Sequence, residues 1–217
     1  MPELDFEIVS ADPVRDLAVP ALAFQLRIQN RAAEEQVHAI LLRCQIQIEA
    51  PRRRYSLREQ NELRDLFGEP ERWSQTLRPM LWANVCMNIP SFGESVDSSV
   101  HVPCTFDLMV ASTKYFHALA GGEVPLTFLF SGTVFYRAGQ AGFQVSPVPW
   151  TKEARFRLPV QTWQAMMDLY YPNLAWLSLQ RNVFDALYRF KVKEGLPTFE
   201  EAIERLLAAA EQPVEVS

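Results

Sequence analysis

The stretch Val124-Pro125-Leu126-Thr127-Phe128-Leu129-Phe130-Ser131-Gly132-Thr133-Val134-Phe135-Tyr136 decides the fold. Leu126, Phe128, Phe130, Val134 and Tyr136 share one parity; Leu129 and Phe135 lie on the other. Successive side chains of a strand point to opposite faces, so a run that is apolar on both predicts a central strand covered above and below. Pro125 suits the first strand position, where its missing N–H does least harm. Gly132 in mid-run predicts a bulge or a close backbone approach.

Further strands are predicted on both sides of this run. Leu4, Phe6 and Ile8 alternate with Asp5, Glu7 and Val9, a run ended by Asp12-Pro13. Leu22, Phe24, Leu26 and Ile28 make one apolar face, and Ile40, Leu42, Cys44, Ile46 and Ile48 make another. The polar link Asn30 to Gln36 predicts that these two runs form an antiparallel hairpin. Ser56-Leu57-Arg58-Glu59 reads as a capping box that opens a helix stopping at Gly68, with a short second helix from Pro70 through Trp73. Leu81 to Ile89 reads as a strand with Leu81, Ala83, Val85, Met87 and Ile89 on one face. Pro90 to Ser99 is predicted as a loop and Val100 to Val110 as a strand, with Val102, Cys104, Phe106, Leu108 and Val110 inward. A turn or short helix follows at Lys114 to Ala120, and Ala138 to Gly142 makes a hairpin loop. Phe143 to Val148 and Ala154 to Leu158 are the last strands.

After Pro159 the apolar period changes from two to three and four. Val160, Trp163, Met167 and Tyr170 form one helical stripe; Trp176, Leu179, Val183, Leu187 and Phe190 form a second. Thr198-Phe199-Glu200-Glu201 is another capping box, opening a last helix. From Gln212 the chain reads as a frayed tail. The predicted class is α+β: an antiparallel β-sandwich or curled sheet with a C-terminal three-helix segment packed on it. It is read as a single domain over 1–217, mainly β over 1–158 with an inserted helical segment near 56–76, and helical over 159–211.

Composition narrows the function. Of 217 residues, 48% are hydrophobic and 22% charged, an ordinary globular balance. The formal net charge of -5 argues against nucleic acid as the main partner, because phosphate binding needs a positive field. Three cysteines make no disulfide framework and fit a reducing compartment, so the expected location is cytoplasmic. The start Met1-Pro2-Glu3-Leu4-Asp5 has neither the basic region nor the apolar run of a leader, and no stretch has the length of a membrane helix, so no membrane partner is expected.

Candidate chemistry is sparse. Cys86, Cys104 and His101, with Cys44, are the residue types of a zinc site, but no CxxC or HxxxH pair is present. Cys44 and Cys104 share the inward parity of apolar strands, where a free cysteine behaves as a small hydrophobe, and His101 has the opposite parity to Cys104. Ser131-Gly132 lacks the G-x-S-x-G context of a nucleophile elbow, and nothing marks His38, His101 or His117 as its base. There is no phosphate loop and no dinucleotide fingerprint, so neither a catalytic set nor a cofactor is predicted. Arg52, Arg53, Arg54 and Arg58 form the one cationic cluster, suited to an acidic partner or to a solvated turn. Trp150 follows Pro149 in a loop, and with Trp73, Trp82 and Tyr171 it could line an apolar groove; exposed aromatics mark binding sites.

Several phrases together resemble a known family. These are Val37-His38-Ala39-Ile40 with Arg52-Arg53-Arg54-Tyr55, Leu66-Phe67-Gly68-Glu69-Pro70, Val102-Pro103-Cys104-Thr105, Leu129 to Phe135, and Val148-Pro149-Trp150. Over nearly the whole chain they resemble an uncharacterised bacterial domain of unknown function, often encoded near uptake nickel–iron hydrogenase genes. The resemblance implies an accessory protein in hydrogenase assembly or maturation and assigns no catalytic residues. Two expectations follow: a non-catalytic interaction protein that binds another protein through Trp150, Trp73, Trp82 and the arginines, or a metal- or cofactor-handling factor using Cys86, Cys104 and His101.

Overall fold

Alternating apolar residues build eight strands among the described residues: β1 (Leu4–Pro13), β2 (Ala21–Asn30), β3 (Glu35–Ile48), β4 (Met80–Ile89), β5 (Ser95–Pro103), β6 (Glu123–Ala138), β7 (Phe143–Pro147) and β8 (Glu153–Pro159). The computed structural model describes residues 2–32, 35–105, 110–138, 142–174, 177 and 179–211. Helices α1 (Leu57–Glu62), α2 (Arg64–Phe67) and α3 (Trp73–Thr76) lie between β3 and β4; α4 (Val110–His117) precedes β6, and α5 (Val160–Tyr170) follows β8. These elements form one compact unit, Met1–Leu174. A second unit, Ala175–Ser217, holds α6 (Arg181–Lys193) and α7 (Phe199–Glu211).

The first unit is α+β, with two antiparallel sheets. One has the order β1-β2-β5 and the other β4-β3-β6, after which β8 pairs with the first half of β6 and β7 with the second. Inward residues of both sheets share one core. Phe6 of β1 stacks on Phe130 of β6 at 4.5 Å, and Phe24 of β2 meets Phe128 edge-on at 5.1 Å. Rings at these separations add to their area burial through quadrupole attraction. Helix α5 lies against β1, β2 and β8 on Val160, Trp163, Met166 and Met167, as its stripe requires. Tyr170 Oη ties it down, donating to the Val14 carbonyl at 3.0 Å and accepting the Leu17 N–H at 3.1 Å.

The central strand is β6, and its glycine does what mid-run glycines do. Gly132 has φ +146, and a Cβ there would lie 2.0 Å from the Leu41 carbonyl oxygen. It sits where β6 leaves β8 and takes up β7, and its carbonyl accepts the Val148 N–H at 2.9 Å. One expectation about β6 fails. Its inward face is buried, but Ser131 on the outer face is exposed and Leu129, Thr133 and Phe135 are only half-buried. The outward apolar residues mark an open surface rather than a second covered one.

Three further readings are corrected. β2 and β3 are not a hairpin: β2 pairs with β1 and β5, while β3 pairs with β4 and β6 in the other sheet. The link arches between sheets, and Asn30, buried at 6% exposure, holds it by donating to the carbonyls of Ala32, Glu35 and Gly93. Strand β5 starts inside the predicted loop and ends at Pro103, and Val110 opens α4 instead of closing a strand; Phe106 and Leu108 lie outside the described residues, as do the loop positions 139–141, Trp176 and the tail from Gln212. In β4 a register shift opposite Ile46/Gln47 reverses the parity at the start of the strand. Leu81 therefore faces out at 58% exposure, and Trp82 turns inward at 5%.

In the second unit, α6 and α7 pack on each other, with Phe184 against Phe199 at 5.3 Å. Thr198 Oγ accepts the Glu201 N–H at 3.1 Å, as the capping box requires.

Phe128→Ala should cost about 3–5 kcal/mol, the usual penalty for truncating a buried aromatic, read from urea melts. Gly132→Ala should also destabilise, by about 1–3 kcal/mol from backbone strain alone and more from the clash with Leu41. A near-neutral result for either would remove β6 from the centre of the fold.

Candidate functional site

The arginine cluster is split by the structure. Arg53, with 8% of its side chain exposed, turns inward and is paired with Glu59 at 2.9 Å, itself 6% exposed. Its Nε donates to the Glu123 carbonyl at 3.2 Å and its Nη2 also donates to the Gly121 carbonyl. The predicted capping box positions the partner: Ser56 N–H donates to Glu59 Oε2 at 2.8 Å and Glu59 N–H to Ser56 Oγ at 3.3 Å. Ala120 N–H completes the shell of Glu59 at 3.1 Å. Arg53 is therefore withdrawn as a partner-binding residue. Through one Nη2 contact to the carboxylate and two bonds to backbone carbonyls, it clasps the α1 turn to the chain between α4 and β6.

Beside this pair, Tyr55 Oη donates to the Ala50 carbonyl at 2.8 Å and shares a 2.8 Å hydrogen bond with Tyr115 Oη. Burial pushes both phenols up in pKa. Burial works against the Glu59 carboxylate, but the Ser56, Arg53 and Ala120 hydrogen bonds outweigh it and lower its pKa below the ordinary 4.5.

The other three arginines stay on the surface. Arg54 and Arg58 are exposed. Arg52 lies 3.5 Å from Glu49 and joins Arg155 and Arg157 of β8 around a depression of about 380 Å³ beside Thr127. Sequence reasoning missed Arg155 and Arg157, although their i, i+2 spacing on the solvent parity of β8 was a legible sign. Each has an acidic neighbour, Glu153 at 2.9 Å and Glu123 at 3.8 Å, so the group is a charge-balanced surface more than a naked cation site.

The aromatics divide as sharply. Trp82 is core, edge-on to Phe24 at 6.0 Å and 5.2 Å from Phe116, and is withdrawn as a binding residue. Trp73 is half-buried; its Nε1 donates to the Gly68 carbonyl at 2.9 Å and its ring meets Tyr55 and Phe67 edge-on. Its contacts hold the inserted helical segment together. Trp150 is 89% exposed. It stands on a turn between β7 and β8 that is hydrogen-bonded at both ends: Val148 N–H to the Gly132 carbonyl, Phe130 N–H to the Lys152 carbonyl, and Lys152 N–H to the Pro149 carbonyl. Lys152 Nζ also reaches Asp5 of β1 at 3.3 Å.

The thiols and imidazole of the metal reading are dispersed. Cys104 lies in the core at 4% exposure and donates to the Val102 carbonyl at 3.4 Å. Cys86 is exposed on the outer face of the five-stranded sheet, and His101 is exposed on β5 of the other sheet. No group of three metal-binding side chains occurs among the described residues. Burial pushes the Cys44 and Cys104 thiols up to about 12, which keeps them protonated and poor as ligands. Ser131 lies opposite Arg43 on the open face, in a shallow depression of about 680 Å³ with Leu41, Cys86, Asn88 and Thr133. No histidine lines it.

What the fold defines is a two-sheet antiparallel α+β protein with an inserted helical clasp and a solvent-facing aromatic turn. The chain belongs to the family of unknown function DUF6084, whose model matches residues 1–215. A search of curated proteins finds no match. Among solved structures, the chain is similar to a protein from Bordetella pertussis described as ApaA, at 12% identity and TM-score 0.27, over 72% of this chain and 93% of that one. It is also similar to a protein described as late embryogenesis abundant, at 10% identity and TM-score 0.32, over 73% of each chain. β-Glucosidase 3B from Thermotoga neapolitana is matched at 14% identity and TM-score 0.26, over 72% of this chain and 17% of that one. Likenesses at this level carry no functional argument. No helix among the described residues is long and apolar enough to cross a membrane.

The clasp has a pH signature. Because the folded pKa of Glu59 is lowered, its contribution is whole above the ordinary value of 4.5 and is lost as pH falls through the folded one. Glu59→Gln should cost about 3 kcal/mol near neutral pH, since it leaves Arg53 buried and unpaired. In thermal melts the gap between wild type and Glu59→Gln should narrow as pH falls below 4.5. A gap that stays constant with pH would show that the pair does not supply the stability.

Proposed function

We propose that this chain is a non-catalytic interaction protein that binds another protein through the turn carrying Trp150. The observation that carries the reading is the 89% exposure of Trp150 on a turn hydrogen-bonded at both ends. A tryptophan in water is apolar surface left uncovered, and tryptophan is the residue type most enriched at binding hot spots. Fixing the turn before binding reduces the ordering cost that association must overcome. Arg52, Arg54 and Arg58 remain solvent-facing and are available to an acidic rim on the partner. Cys86, Cys104 and His101 lie apart among the described residues, which favours this reading over a metal-handling one.

The partner we propose is a component of uptake nickel–iron hydrogenase assembly or maturation, met in the cytoplasm. This rests on the family resemblance of the quoted phrases and, for the compartment, on three cysteines that stay free thiols, as a reducing environment keeps them.

Trp150→Ala should leave the thermal midpoint nearly unchanged, because the ring covers little of the core. It should cost about 2 kcal/mol or more in partner affinity, roughly thirtyfold in Kd. Wild type and variant, used side by side as baits in a lysate of a hydrogenase-bearing bacterium, should differ in the hydrogenase components recovered by mass spectrometry. Equal recovery would sink the Trp150 surface. Unfolding of the variant would place the ring in the core.

A further inference from the structure

Among the described residues five strands end a sheet or stand at its margin, and four are blunted; β8, paired with β6 alone, carries Glu153, Arg155 and Arg157 and ends at Pro159. β1 carries Asp5, Glu7, Asp12 and Pro13 and a register break at Ile8/Ser10. β5 carries Asp97 and ends at Pro103, and β7 has only five residues, ending at Pro147. Charges, prolines, bulges and short length are the devices that keep sheet edges from pairing with other chains. β4 has none of them along its main run. Its sequence, MLWANVCMNI, is ten residues without a charge or a proline, and among the described residues it pairs on one side only, with β3.

Three features of β4 point to a second copy of this chain as the occupant. The first is register. After the shift near its start, the ladder with β3 is unbroken from Ala83 to Ile89, and Cys86 is the midpoint of that run. A two-fold axis normal to the sheet keeps inward residues opposite inward ones, so it passes through a residue position; using the whole unbroken run puts it at Cys86. The second is side-chain complementarity. Asn84 then faces Asn88 of the other copy on the outer face, each amide offering both donor and acceptor. Inside, Val85 faces Met87 and Ala83 faces Ile89. Val85 and Met87 point inward yet are only half-buried, because the sheet stops at β4. The third is charge. In a chain of net charge -5, a neutral edge lets two copies meet without like charges opposed.

We propose that β4 pairs antiparallel with β4 of a second copy about a two-fold axis at Cys86, joining two five-stranded sheets into one. The pairing is separate from the Trp150 surface and does not depend on it. Strand pairing over one short run buries little area, so the dimer is concentration-dependent.

Sedimentation velocity across a concentration series is the first test, with dimer expected to grow at high concentration. Asn84→Lys with Asn88→Lys changes exposed side chains only, leaves the monomer folded, and sets lysines opposite each other, so it should abolish the dimer. Mixing that variant with one carrying Asn84→Glu and Asn88→Glu should restore it, because every lysine then faces a glutamate. Diamide provides an independent readout. It takes two hydrogens from a pair of opposed thiols, becoming the hydrazine as the disulfide forms. Opposed residues of an antiparallel pair have Cα atoms about 4.5 or 5.5 Å apart, within the span a disulfide bridges. Wild type should cross-link and Cys86→Ser should not, since Cys44 and Cys104 are buried. A protein that stays monomeric overturns the proposal and leaves the edge to a strand from a different protein. A dimer that survives the paired lysines, or one in which oxidation leaves Cys86 reduced, overturns it as well.

Discussion

The approach of the Leu41 carbonyl to Gly132 is the constraint around which the first unit is arranged. β3 and β6 share the longest ladder among the described residues, from Glu35 paired with Ala138 to Ile48 paired with Leu126. At Gly132 the two backbones come so close that no side chain fits, and φ +146 is a conformation that residues with a Cβ rarely adopt. At this point β6 gives up β8 and takes β7, so one strand carries two short neighbours in succession. The turn between those neighbours holds Trp150, and it is tied to Gly132 itself through Val148. The most exposed tryptophan among the described residues is thus placed by a backbone position that admits no side chain.

The Arg53–Glu59 pair shows how a cluster that looks cationic in sequence can be spent inside. Capping pulls Glu59 to the start of α1, where it accepts from Ser56, Ala120 and Arg53. Both oxygens of the Glu59 carboxylate are engaged, which offsets its desolvation, while Arg53 Nη1 stays buried without a partner among the described residues; the pair fastens the inserted helices to the chain ahead of β6. Arg52 reaches the buried Glu49 at 3.5 Å but keeps its side chain 55% exposed, and Arg54 and Arg58 remain at the surface. Adjacent residues of one type therefore take opposite roles.

The surfaces left over are those with no interior task. They are the Trp150 turn, the open outer face around Ser131, and the free edge of β4. The cysteines follow the same division. Cys44 and Cys104 are packed as small hydrophobes with raised pKa, while Cys86 stands on the open face. The surface proposed for another chain is drawn from what these interior roles leave exposed.

Local pattern was enough for much of this. Period-two alternation located β1, β2, β3, β6 and β8, the two capping boxes located α1 and α7, and Gly132 announced its close contact, because each depends on chemistry within a few residues. Alternation cannot say which edge a strand offers to which partner. The same apolar faces of β2 and β3 suit a hairpin or an arch between sheets, and burying both faces against each other, with Asn30 holding the crossing, decided for the arch. Trp82 and Leu81 exchanged faces through one inserted residue opposite β3, a shift invisible in β4 alone. Arg53 went inward because Glu59, Gly121 and Glu123 meet it there, and two of those partners are far along the chain. The sequence by itself determined which residues seek the interior and where elements begin; the tertiary structure decided which sheet each joins and which polar groups find partners, since those are contacts between residues distant in sequence.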